Sequence, residues 1–268
     1  MANRIKKVSQ YKKLDNLKRA YGRTLELRDY MKNLLFPFLF GAGLTFLMLH
    51  NLLFSLGIGI FYGIYGYKIL LPKNVLRFYN NEAYVQRNRF MNNLTQVLAD
   101  ESISWFHGLE IVAKQIEGEL QEDLYRLIAC LYGCSEQERI VIFQEFQEKY
   151  ADDKIFCMYI DQLAIISVEG RTTVDMFRDV NSFHNQLREK KKEFVDAKMK
   201  IVRQLELCGG LIIGILILLH YFPLGIEEYE KAFASQIYGY VICSGLLLAM
   251  SVILHKACVY FFDDELMQ

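Results

Sequence analysis

The sequence predicts an all-α, polytopic membrane protein with four transmembrane helices and a cytoplasmic antiparallel helical bundle. Three observations lead there. Apolar stretches come in two pairs, at residues 34–71 and 205–261, on either side of a soluble-looking stretch at 72–204. Within that stretch apolar residues recur at spacings of three and four, with no run of alternating β-branched residues. Prolines number three, Pro37, Pro72 and Pro223, each at or near the end of an apolar segment, where a helix starts or stops.

Composition excludes some classes. Formal net charge is zero, which argues against a globally basic nucleic-acid binder but conceals strong charge segregation. The opening MANRIKKVSQYKK is basic, and about thirty residues pass before the apolar character begins. A cleavable signal peptide starts its apolar region much earlier, so the apolar segments are expected to stay as anchors. The six cysteines divide between the soluble-looking stretch (Cys130, Cys134, Cys157) and the apolar segments (Cys208, Cys243, Cys258). Reduced thiols are expected rather than a disulfide framework.

Residues 1–33 form a basic amphipathic segment, with ten Lys or Arg against three acids. Ile5, Val8, Tyr11, Leu14, Leu17, Tyr21, Leu25 and Tyr30 make a helical stripe. Such a helix lies on an anionic membrane surface or docks onto a partner. Residues 34–71 read as a first transmembrane hairpin, Leu34–Leu49 and Leu52–Leu71, with His50-Asn51 at its tip. The first span is short and gains length from Tyr30 and Met31, or the bilayer thins; a re-entrant loop is the alternative. Gly59 and Gly63, and Gly210 and Gly214, are spaced for close helix contact. Pro72 is expected to stop the second span, with Lys73 and Arg77 as its cytoplasmic flank.

The domain at 72–204 shows amphipathic helices at Tyr84–Leu98, Ser102–Ile116, Leu120–Leu131, Gln137–Tyr150 and Lys154–Ser167. A long closing helix follows a turn at Gly170, with Thr172 or Thr173 placed to cap it, and runs to Gln204. Short connections imply antiparallel neighbours. From Tyr84 to Glu169 there are fifteen acids against seven Lys or Arg. Beyond Gly170 the sign reverses: Arg188, Lys190, Lys191, Lys192, Lys198, Lys200 and Arg203 form a basic flank leading into the third span. The acidic side is a solvated surface or a docking site. Leu205–Phe222 and Ile237–Phe261 make the second hairpin, joined by a loop bearing Glu227, Glu228 and Glu230, and residues 262–268 form a short tail. The basic flanks place the bundle and both termini in the cytoplasm.

No catalytic motif emerges. P-loop, GxSxG, HExxH and CxxC patterns are absent, and Cys130 and Cys134 alone are too few to hold zinc. His107 and Glu110 are spaced to pair, with nothing else converging on them. Trp105, the one tryptophan, reads as core. Away from their ends the spans carry no acid of the kind that marks an ion path. No enzyme activity and no cofactor is expected.

The pattern of two spans, one bundle and two spans resembles the type II secretion F-domain family, and within it the four-span proteins of tight-adherence (Tad) pilus systems. The resemblance covers about Leu34 to Phe261. Phe90–Leu98, the turn Ala99–Ile103 and Trp105–Ile116 are similar to that family's opening helices, although Asp100 and Glu101 stand where its turn has glycine. Val168-Glu169-Gly170 with Val174 and Phe177, then Leu187-Arg188-Glu189-Lys190, match its later glycine turn and basic segment. The resemblance implies a non-enzymatic platform in the bacterial cytoplasmic membrane that couples a cytoplasmic ATPase to pilin assembly or protein secretion. It implies as partners that ATPase, prepilin or pilin subunits, a sister platform protein or further copies of the chain, and the lipid bilayer, with no nucleic acid. Asp100, Glu101, Glu119, Glu122, Asp123, Glu169 and Gly170 are the expected partner contacts. A membrane scaffold or signalling subunit that recruits another partner is the alternative.

Overall fold

The computed structural model describes residues 10–100, 102–169, 174–221 and 225–262. Among these, every regular element is helical. The chain divides into two compact units. One comprises Met1–Thr24, Arg77–Glu193 and Glu265–Gln268, the other Leu25–Leu76 and Phe194–Asp264.

The apolar unit begins with α2 (Leu27–Tyr30), which passes through a π-turn at Met31–Leu35 into α3 (Phe36–Leu49). Next, α4 (Leu52–Tyr65) passes through a second π-turn at Gly66–Leu70 into α5 (Leu71–Leu98). Pro72 therefore does not stop the second span, and the helix expected from Tyr84 starts at Leu71. The reason is local. In each π-turn the closing N–H reaches back five residues, Phe36 to the Met31 carbonyl and Leu71 to the Gly66 carbonyl. The next residue is the proline, which has no N–H to give and whose ring would crowd the carbonyl four residues back. A turn widened by one residue relieves that crowding, so the helix continues.

The hairpin turn takes two residues. His50 ends α3 in the left-handed region at φ 49°. Asn51 caps α4, its Oδ1 accepting from the Phe54 N–H at 3.1 Å. Close approach of α3 and α4 depends on small residues. A Cβ on Gly41 would come to 2.6 Å of the Tyr62 ring, and one on Gly59 to 2.8 Å of Ala42 and 3.1 Å of the Phe38 carbonyl. Gly59 and Gly63 thus line a helix contact, while a Cβ on Gly210 or Gly214 would meet no atom of another element within 4 Å among the described residues.

The second hairpin is α10 (Val174–Tyr221), then α11 (Gly225–Tyr229), a π-turn at Glu230–Ala234, and α12 (Ile237–Phe262). α10 joins the basic stem and the third span in one helix of 48 residues, on the order of 70 Å long. Its expected opening at Gly170, Thr172 and Thr173 lies outside the described residues. Leu44, Met48 and Leu49 pack with Cys243 and Leu247 of α12, and Ile213 and Leu216 of α10 close over them. Polar pairs stitch α4 to α12: Asn51 Nδ2 donates to the Tyr240 hydroxyl at 2.8 Å, Tyr62 and Ser251 share a hydrogen bond at 2.7 Å, and Tyr65 meets His255 Nδ1 at 2.9 Å.

The other unit is the bundle: the later part of α5, α6 (Trp105–Ala113), α7 (Glu119–Leu131), α8 (Glu136–Glu148), α9 (Lys154–Glu169) and the start of α10. Spacings of three and four put Phe90, Leu94 and Leu98, then Leu120, Leu124, Leu127 and Leu131, then Phe156, Ile160 and Leu163 into one core. Each fully buried side chain of this size contributes about 1.5–3 kcal/mol. Ser104 caps α6, and Ser135 with Glu138 forms a capping box at α8. Tyr159 is fully buried, yet its hydroxyl lies 2.9 Å from the Thr95 hydroxyl and donates to the Met91 carbonyl at 3.0 Å. Both contacts satisfy a group that would otherwise oppose burial.

The amino-terminal stripe is interrupted between Arg19 and Leu27. Ile5 and Val8 lie outside the described residues. Helix α1 (Gln10–Arg19) stops before Gly22 at φ 69°, a conformation glycine adopts without strain. The segment following it docks on the chain's own bundle. Tyr21 meets Tyr79 edge-on at 5.5 Å, and Lys18 and Arg23 sit over the Phe78 ring. Gly118, at φ 77°, has room for no side chain there, since a Cβ would stand 2.5 Å from the Tyr21 ring.

Candidate functional site

Three of the expected contact residues lie on α7, Glu119, Glu122 and Asp123, and burial sorts them. Glu119 and Asp123 are four apart and turn inward together, while Glu122 stays exposed. Asp123 is buried. It accepts from the Tyr150 hydroxyl at 2.6 Å and from the Lys149 ammonium. The same ammonium lies 2.6 Å from Glu119 Oε1, and the Tyr79 hydroxyl donates to Glu119 Oε2. Arg126 approaches both Glu122 and Asp123 at 3.9 Å.

Protonation follows from this packing. Burial raises the Glu119 carboxyl, but the hydrogen bonds from Lys149 and Tyr79 outweigh it and hold the group below its ordinary range. Burial lowers Lys149, and its bonds to Asp123 and Glu119 more than reverse that. Burial, with the Glu119 charge adding, pushes Tyr21 up to about 12. Tyr79 and Tyr150 are raised by burial, then by donating to Glu119 and Asp123. The network ties α5, α7, α8 and the α1 connection together through fully engaged carboxylates.

The expected contacts therefore separate. Asp123, buried and saturated, is occupied inside the fold, and Glu119 is half-buried in the same network. Glu122, Asp100 and Glu169 are exposed. Asp100 accepts from the Ser102 backbone N–H and hydroxyl, and these bonds hold its carboxyl low. Glu101 and Gly170 lie outside the described residues. In the basic flank, Arg188, Lys190, Lys192, Lys200 and Arg203 are exposed, and the Lys191 side chain lies outside the described residues. Lys198 departs from the flank: it is buried between the Phe194 and Tyr260 rings, 4.9 and 5.2 Å from their centroids, which stabilise a desolvated cation.

Sequence reading did not find Tyr21, Tyr79, Lys149 or Tyr150 as members of the network. Each is separated in sequence from the acids it serves, and no spacing rule links them. The Lys149-Tyr150 pair following an acidic helix is the only local signal.

Fold and site define an all-helical protein with four helices long and apolar enough to cross a membrane among the described residues: Leu27–Leu49, Leu52–Leu98, Phe177–Leu218 and Ile237–Phe262. The chain is 31% identical over 265 residues to the Bacillus anthracis protein pXO2-23, which is described as uncharacterized; the match covers 98% of this chain and 95% of that one. The chain belongs to the family of that protein. No protein-family model matches it, and no solved structure matches it.

Proposed function

We propose that the chain is a cytoplasmic-membrane platform of a type II secretion or Tad-like pilus machine, coupling a cytoplasmic ATPase to pilin assembly or protein secretion. The observation that carries this reading is α10, one helix of 48 residues that starts in the bundle and ends in the third apolar span. ATPase movement displaces the bundle, α10 transmits the displacement to the spans, and a pilin leaves the bilayer. The bacterial source of the relative agrees with a bacterial membrane. The basic residues Lys73, Arg77, Lys190, Lys192 and Lys200 support termini and bundle on the cytoplasmic side. Partners are the ATPase, prepilin or pilin subunits, and a sister platform protein or further copies of the chain. Asp100, Glu122 and Glu169 are the exposed acids best placed for the ATPase.

The test has two arms. The full chain, extracted in detergent, should co-purify with an assembly ATPase encoded beside it. Inserting two glycines near Glu193 should abolish surface assembly while the protein still inserts in the membrane. Absence of any such ATPase from the gene neighbourhood, or assembly that survives the insertion, overturns the reading. Recruitment of an unrelated cytoplasmic protein in its place would favour the scaffold alternative.

A further inference from the structure

The outer face of α8 and α9 is not used by the internal network. Between the two helices runs an open groove of about 500 Å³, lined in part by Gln144, Glu148, Lys154, Cys157, Met158 and Asp161. Its floor is fixed. Gln147 Nε2 donates to the Cys157 carbonyl at 3.1 Å and to Asp161 Oδ1 at 2.6 Å. Along α9, Met158, Asp161 and Ile165 fall on one stripe; along α8, Val141, Glu145 and Glu148 do the same. Val141 is 52% exposed, Met158 50% and Ile165 43%. These exposed apolar side chains share their helical stripes with the carboxylates Asp161, Glu145 and Glu148.

We propose that this groove is a docking site for a basic amphipathic helix of a partner protein. Helix-in-groove recognition needs an apolar trough and a rim of charge opposite to the partner's polar face. Met158 lines the trough with Ala151 and Cys157, exposed Val141 and Ile165 continue its stripes along the two helices, and methionine adapts its shape to an entering side chain. Glu148 and Asp161 supply the rim, with Lys154 the one base among the lining residues, and exposed Glu145 continues the acidic stripe along α8. The region from Tyr84 to Glu169, with fifteen acids against seven bases, sets the same sign at longer range. That sign repels an anionic lipid surface. It also repels an identical groove on a second copy. A cationic helix is the occupant that satisfies both the trough and the rim. This inference does not rest on the platform reading, and its failure would leave the co-purification test above untouched.

The probe is a fluorescent amphipathic peptide of leucine and lysine, added to the full chain in phosphatidylcholine nanodiscs and followed by anisotropy. Saturable binding is expected. Met158→Asp, and separately the pair Glu148→Lys with Asp161→Lys, should each weaken it by about tenfold or more, while Met158→Leu preserves it. These side chains are exposed, so Trp105 fluorescence should report an unchanged bundle. Three results would each overturn the proposal: equal binding of a scrambled peptide of the same composition, equal weakening by Glu122→Lys on α7, or no binding. Disulfide cross-linking of two copies through Met158→Cys would instead assign the groove to self-association and also overturn it.

Discussion

Gly66 lies against the backbone carbonyl of Asn33: a Cβ at Gly66 would stand 1.9 Å from that oxygen and 3.2 Å from the Pro37 ring. The carbonyl is the one that Pro37, lacking an N–H, leaves without its usual helical donor. The two π-turns of the first hairpin therefore meet where the first proline has interrupted the ladder. The Asn74 side chain adds a hydrogen bond to the side chain of the same Asn33.

Gly66→Ala should accordingly destabilise the hairpin by about 2 kcal/mol or more, because backbone, not a flexible side chain, must move. Gly57→Ala, with nothing within 4 Å of its added methyl, should be neutral or stabilise by up to about 1 kcal/mol. Denaturation midpoints of the two variants in the same detergent check this, and equal midpoints would refute the close approach.

Asp123→Asn should lower bundle stability by about 2–3 kcal/mol, since it removes the acceptor charge from Tyr150 and Lys149 at a buried position. Trp105 packs beside Phe143 of the core, so tryptophan fluorescence during urea unfolding reads the bundle. Glu122→Gln, exposed on the same helix, should change the midpoint little.

The network also sets a pH dependence. Glu119 titrates lower in the folded state, so its contribution is present above the ordinary carboxylate range and lost as pH falls through the folded value. Lys149 titrates higher when folded, so its contribution is complete below its ordinary value of 10.5 and lost as pH rises through the folded value. Tyr21, Tyr79 and Tyr150 act in the same alkaline direction. Urea midpoints should fall at both extremes, and Glu119→Gln should flatten the acid limb and also weaken the alkaline one, because Lys149, Tyr79 and Tyr21 are held up in part by the Glu119 charge. Ultraviolet titration should show Tyr21 ionising near 12, a signal that Tyr21→Phe removes.

In the apolar unit, the Tyr62–Ser251 hydrogen bond should give a coupling energy of about 0.5–1.5 kcal/mol in a double-mutant cycle with Tyr62→Phe and Ser251→Ala. A coupling indistinguishable from zero would mean that the two hydroxyls do not depend on each other.

The helical class and the core stripes were legible because burial imposes the 3.6-residue period directly on the chain, as at Leu120, Leu124, Leu127 and Leu131. Asn51 announced the hairpin turn by interrupting an apolar run. The continuity of helix through Pro72 was not legible, since the π-turn that accommodates it has no residue code of its own. The acids at 119 and 123 read as surface charge because sequence shows the sign of a side chain but not its partner. Tyr150 and Lys149 are brought to Asp123 by the α7–α8 packing, which no local pattern records. Lys198 likewise carries the signature of a lipid-facing base, and the rings of Phe194 and Tyr260 that cover it lie on two different helices.

The two-residue link at His50 and Asn51 bears on biosynthesis, given a membrane-spanning hairpin. Chain leaving the ribosome offers α3 and α4 with no tether long enough for one to settle while the other waits outside. Both must partition together, and only the two polar side chains of the tip have to be carried through the hydrocarbon. A nascent chain arrested before Tyr65 would hold an incomplete partner for α3, so stable integration of this hairpin should begin only once α4 has emerged.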